Sequence, residues 1–145
     1  MIRFVLQVVF LALVFAAAWR VGGKPERYMA SIYSSMLFAA LLGAILLDDI
    51  GAGLPPSQNY RFLLDIAALV AVATVAVLYD RWWTLWVGSV QLIAVTAHVL
   101  KLTGLAIHPL VYGVMERWPT WVAIALTGLG TWLHCRRSSR TALDT

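Results

Sequence analysis

Asp65 and His98 are the groups in this chain best placed to do chemistry, because each stands inside a long apolar stretch, RFLLDIAALV and IAVTAHVLKL. Ionisable groups surrounded by hydrocarbon are costly, so they turn toward other protein and find a partner. A carboxylate and an imidazole within reach of one another can relay a proton, bind a polar head group, or clamp two helices together. Lys101, three residues beyond His98, is a second candidate partner for Asp65, and Arg61 lies one turn before it. Gln91 shares a helical face with Thr84, Gly88, Val95 and His98, which recur at steps of three and four. Near mid-membrane its amide needs a hydrogen-bond partner. This face is either a hydrophilic track or, more commonly in such helices, a source of interhelical hydrogen bonds.

Other chemistries find no support in the residue types. A single cysteine, Cys135, excludes an internal disulfide and a cysteine-rich metal site. No cluster of His, Cys and carboxylate has the spacing of zinc ligands. His98 and His108 belong to one side of the expected bundle and His134 to the other, so no pair stands at a common depth to hold haem. Asp48 and Asp49 are adjacent and point about 100° apart on a helix, a poor geometry for a shared metal or a catalytic pair. They read as the solvated end of a span. There is no Ser-His-Asp arrangement, phosphate loop or metalloprotease motif. No catalytic, cofactor-binding or metal-ligating residue is therefore assigned, and bound lipids are the only small molecules expected.

These residues must be positioned by a membrane-spanning structure. The chain is 61% hydrophobic and 12% charged, with mean hydropathy +0.81, about half the charge a soluble domain carries. An α-helix crosses the hydrocarbon layer with about 20 apolar residues. Five stretches approach that length, near 2–19, 28–47, 62–79, 82–102 and 118–134. Arg3, the apolar run and Ala16-Ala17-Ala18 resemble a signal peptide, but the stretch is expected to stay as a span. The expectation is an all-α polytopic bundle forming one integral membrane domain over 1–145, with five spans and counts of four to six compatible. The piece from Pro109 to Arg117 is compatible with a short interfacial helix leading into the last span and with a part of that span.

Asp80 and Arg81 alone separate spans three and four, which forces an antiparallel helical hairpin. Folding the chain about this turn brings residue 65 level with residue 96, within about one helical turn of His98 and Lys101. A polar contact there is expected, with a structural clamp favoured over a proton relay. With five spans, Arg20, Lys24, Arg27, Arg81, Arg136, Arg137 and Arg140 fall on one side, and Arg3, Arg61, Lys101 and Arg117 on the other. The positive-inside rule then puts the N-terminus outside and the C-terminus in the cytoplasm. Trp19, Trp82, Trp83, Trp86 and Trp132 would form the inner aromatic belt, and Trp118 and Trp121 the outer one. Ser31, Ser35, Ala39 and Gly43 repeat every four residues, a small-residue face for close helix packing within the chain or against another subunit. The net charge of +4 comes from groups beside apolar runs, which suits orientation and anionic lipid rather than nucleic acid.

PERYMA and the stretch RFLLDIAALVAVATVAVLYDRWWTLWVGSVQLIAVTAHVLKL resemble a family of small bacterial multi-span membrane proteins. Its members share an aspartate early in one span, a D/R-W-W turn, then glutamine and histidine in the next. Here these are Asp65, Asp80, Arg81, Trp82, Trp83, Trp86, Gln91 and His98. Thr84 stands where proline would be expected, implying a less rigid turn. The resemblance covers roughly 24–102, is weaker in the last span, and implies an inner-membrane bundle without specifying an activity. Lacking a soluble domain, the chain reads as a non-enzymatic accessory, structural or assembly subunit of a larger inner-membrane complex, of energy conversion or envelope biogenesis. The alternatives are a small homo-oligomeric transporter or channel built around Gln91 and His98, and a quinone- or lipid-handling enzyme.

Overall fold

The computed structural model describes residues 2–49, 58–103 and 108–141. It is all-helical among these residues: α1 (Ile2–Val21), α2 (Lys24–Asp49), α3 (Gln58–Tyr79), α4 (Trp82–Leu102) and α5 (Pro109–Thr141). Four of these helices, over Ile2–Val21, Lys24–Leu46, Tyr60–Tyr79 and Trp82–Leu102, are long and apolar enough to cross a membrane. The chain is a multi-pass helical bundle. Each helix packs on the next, and α5 also packs on α1 and α2, so the bundle closes on itself.

Two short turns set the layout. Gly22 and Gly23 alone separate α1 from α2, and Asp80 and Arg81 alone separate α3 from α4. Asp80 takes a left-handed backbone conformation (φ 45°), which aspartate tolerates better than most side chains, and Arg81 is extended. The hydroxyl and backbone N–H of Thr84 both donate to the Arg81 carbonyl. Both bonds close the first turn of α4 onto the connecting residues.

The core gathers toward this turn end of the bundle, from Leu11, Val14, Met29, Tyr33, Val72, Val75, Trp83, Val87, Ala123 and Ile124. Trp83 is 1% exposed and lies against Gly130, where an added Cβ would stand 2.6 Å from the indole Cε2. Only a residue without a side chain lets α5 approach the ring this closely.

Two expectations need correction, and one open reading is decided. α2 starts at Lys24, not near Tyr28, so Pro25 and Glu26 belong to its first turn, where proline's missing N–H leaves no bond unmade. Pro109–Arg117 is not a separate piece, because α5 runs unbroken through Pro119 to Thr141. Trp83, expected in the inner belt with Trp82 and Trp86, turns inward. Trp82 and Trp86 are one turn apart on the exposed face, while Trp83 lies about 100° round the helix, in line with Val87. The chain beyond the span end read at Asp48 and Asp49 falls on residues 50–57, outside the described residues.

Candidate functional site: a buried polar chain across three helices

The hairpin brings together the residues whose chemistry stood out. His98 Nε2 donates to Asp65 Oδ2 at 3.0 Å. Gln91 Nε2 donates to Asp65 Oδ1 at 3.1 Å and to the Asp65 backbone carbonyl at 3.3 Å. The other end of the Gln91 amide accepts the Tyr33 hydroxyl at 3.2 Å. Tyr33, Gln91, Asp65 and His98 thus form one hydrogen-bonded chain linking α2, α3 and α4.

The four groups are 2%, 2%, 8% and 4% exposed respectively, so the chain lies inside the bundle rather than on its rim. The donors run consistently. The tyrosine hydroxyl gives to the amide oxygen, the amide nitrogen gives to the carboxylate, and the imidazole gives to the same carboxylate. Asp65 is the common acceptor, and each carboxylate oxygen has a donor, as a buried charge requires. The Phe62 ring, tilted with its centroid 6.0 Å from that of His98, lies next to the pair.

Local sequence explains the placement. On α4, Trp83, Val87, Gln91, Ala94 and His98 recur at steps of four and three, and all five are buried. Gln91 and His98 are thus carried inward by the face that also carries the core. Gly88 faces Val72 of α3 at an ordinary packing distance, a Cβ there meeting Val72 at 3.7 Å. Of the other residues on the expected polar face, Thr84 is buried and bonded within its turn, and Val95 is half-buried. Lys101 is exposed near the end of α4.

The remaining candidates are placed as follows. Tyr60 of α3 donates to the Ala39 carbonyl at 2.7 Å, and its ring fills the space over Gly43. Half of the small-residue face on α2 is therefore used inside the bundle. Ser31 and Ser35 return their hydroxyls to Arg27 and Ile32 of their own helix. Trp121 stacks on Phe10 between α5 and α1 at 6.1 Å, while Trp19, Trp82, Trp86, Trp118 and Trp132 are exposed. His108 is exposed, and its Nδ1 accepts the Leu110 N–H at 3.4 Å.

Sequence reasoning missed two groups. Tyr33 carries no signal of its own, because its role depends on how α2 is rotated against the hairpin. Glu26 is 2% exposed, and its Oε2 has no hydrogen-bond partner. It stands over Gly23 opposite His134: a Cβ on Gly23 would lie 3.0 Å from both Glu26 Oε2 and His134 Cε1. Its place in the first turn of α2 favours a negative charge.

Among the described residues, two of the grooves on the outside of the bundle are well defined by their lining. One of about 420 Å³ lies on α3 along Val70, Ala73, Thr74, Val77 and Leu78. The other, about 320 Å³, runs between α2 and α3 past Ser35, Ala39, Ala67 and Ala71. Neither is lined by a member of the polar chain. Among the described residues no three metal-ligating side chains cluster. Compared with family models, curated proteins and solved structures, the chain matches none.

Proposed function

We propose that this chain is a non-enzymatic accessory or structural subunit of a larger complex in a bacterial inner membrane, and that the Tyr33–Gln91–Asp65–His98 chain is the clamp that fixes its bundle. One observation carries this reading: Asp65 has a donor from the chain itself on each carboxylate oxygen, and both ends of the Gln91 amide are bonded. A site that works on a substrate needs a polar group pointing into accessible space. Here the bonded groups face one another inside the bundle, and neither groove is lined by them. The apolar outer surface is then left for lipid and neighbouring subunits. The test is solubilisation of native membranes in mild detergent, with the chain captured and every co-purifying subunit identified. Fixed stoichiometry with a larger assembly is the expected result; recovery only as a monodisperse monomer or homo-oligomer counts against it.

A transporter is the second reading, favoured by the buried polar residues Thr84, Gln91 and His98 at two-turn intervals along one face of α4. It requires that Gln91→Leu and His98→Leu abolish flux in proteoliposomes while assembly survives. Reconstituted protein with no flux at all removes it.

A further inference from the structure

Basic side chains from separate segments meet at the turn end of the bundle. The contact of Gly23 with His134 pins α5 beside the α1–α2 turn, a Cβ on Gly23 lying 3.0 Å from the imidazole. Arg136 and Arg137 follow within one turn, and so share this end with Arg20, Lys24 and Arg27. All five are exposed. The acidic groups described here are Asp80 at the neighbouring turn and Glu26, which is buried.

Two of the guanidiniums are held in place. Arg136 lies over the Trp132 ring, 4.0 Å from its centroid. Arg27 lies 5.8 Å from the Trp19 centroid and donates Nε to the Gly22 carbonyl at 3.1 Å. Exposed tryptophans settle at head-group depth, so these rings set the level of the cations they carry. A guanidinium stacked on an indole still presents N–H edges, which match phosphate oxygens in pairs. α5, with 33 residues, is longer than the hydrocarbon layer is thick, so its last turns can stand among the head groups.

We propose that the turn end is a docking face for anionic phospholipid, on which Arg27 and Arg136 each hold a head-group phosphate and Arg20 and Lys24 add to the positive field. The inference rests on the membrane-spanning fold and is independent of the subunit reading. The test titrates the purified full chain in mild detergent with phosphatidylglycerol or phosphatidylcholine of identical acyl chains, counting bound lipids by native mass spectrometry. Phosphatidylglycerol is expected to bind more tightly. Arg136→Gln, on the exposed face, is expected to weaken it roughly fivefold and leave phosphatidylcholine unchanged. Arg3→Gln removes the same charge at the far end of α1 and is expected to have no effect. Equal binding of the two lipids, or equal losses in the two variants, overturns the proposal. Displacement of phosphatidylglycerol by an equimolar amount of inorganic phosphate also overturns it, by assigning the face to a soluble anion.

Discussion

Asp65 is the residue on which the interior of this bundle turns, and its replacement has a calculable cost. Asp65→Leu removes the acceptors of two hydrogen bonds, to Gln91 at 3.1 Å and to His98 at 3.0 Å. Bonds to a charged group contribute about 1.5–3 kcal/mol each in soluble proteins. Interhelical bonds in membranes average nearer ~0.6 kcal/mol, with a maximum of ~1.7, because the unfolded chain in the bilayer also finds partners. The membrane figures govern here, since donor and acceptor both lie within spans. Gln91 keeps the backbone carbonyl at 3.3 Å, but His98 Nε2 loses its Asp65 acceptor, adding about 1–3 kcal/mol. The expected loss is about 2–4 kcal/mol. Asp65→Asn keeps an oxygen for Gln91 and turns an amide N–H toward His98, whose Nε2 can accept in the other tautomer. That variant is expected to lose only about 1 kcal/mol, the difference between charged and neutral hydrogen bonds. The assay is unfolding in mixed micelles of rising SDS fraction, followed by tryptophan fluorescence. Pairing Asp65→Leu with His98→Leu gives a double-mutant cycle, in which the double variant should lose little more than the worse single one. Unfolding of Asp65→Leu at the wild-type SDS fraction would refute the clamp, and so would strict additivity in the cycle.

The glycines offer a graded test of packing. Gly130→Ala drives a methyl to 2.6 Å from the Trp83 ring and is expected to cost about 1–3 kcal/mol, whereas Gly113→Ala meets nothing within 4 Å and should gain about 0.5–1 kcal/mol of helix stability. Equal unfolding midpoints for the two variants would show that Trp83 is not seated on α5. Glu26→Gln replaces a buried carboxyl group, whose Oε2 has no hydrogen-bond partner, by an amide of nearly the same size. It is expected to raise stability by about 1 kcal/mol, after losing ~0.3–1 kcal/mol of attraction to the start of α2. A marked loss in the same micelle assay would mean that Glu26 is held by a cation. Cys135 is exposed on α5 beside the basic end, so a membrane-impermeant maleimide should label it in inverted inner-membrane vesicles and not in intact cells. Labelling in intact cells instead would reverse the orientation expected from the positive-inside rule.

The hairpin was legible because one fact about it is local. Asp80 and Arg81 are the whole turn, so levels on α3 and α4 follow from counting, and the count from Asp65 comes within a turn of His98. Tyr33 was not legible for the opposite reason. It joins the chain only because α2 presents that side chain to Gln91, and the rotation of one helix against another is set by packing over the whole bundle. Glu26 was hidden by Pro25, which reads as part of a link but fits equally well in a first turn. The misplacement of Trp83 was avoidable: its step of four to Val87 marks the inner face, and the aromatic type of three neighbours outweighed their angular spacing.

α5 shows why hydropathy alone misorders these helices. It is absent from the four that are long and apolar enough to span, yet it packs against α1, α2 and α4, more neighbours than α3 has. In a soluble protein the helix with the most neighbours is the most apolar. Here the outside faces lipid, so the apolar side chains stand outward: Val70, Val77, Leu78, Leu85 and Leu92 are all more than half exposed. The inside is free to carry small and polar residues, because contact between helices in a membrane comes from close packing and hydrogen bonds rather than from escape from water. α5 turns Ala123, Thr127, Gly130 and Thr131 inward, with both threonine hydroxyls returned to carbonyls one turn back. The same inversion accounts for Glu26, Asp65, Gln91 and His98, which are polar and buried together. Of these, Asp65, Gln91 and His98 hold α3 and α4 to one another through hydrogen bonds, whereas the Glu26 Oε2 has no such partner.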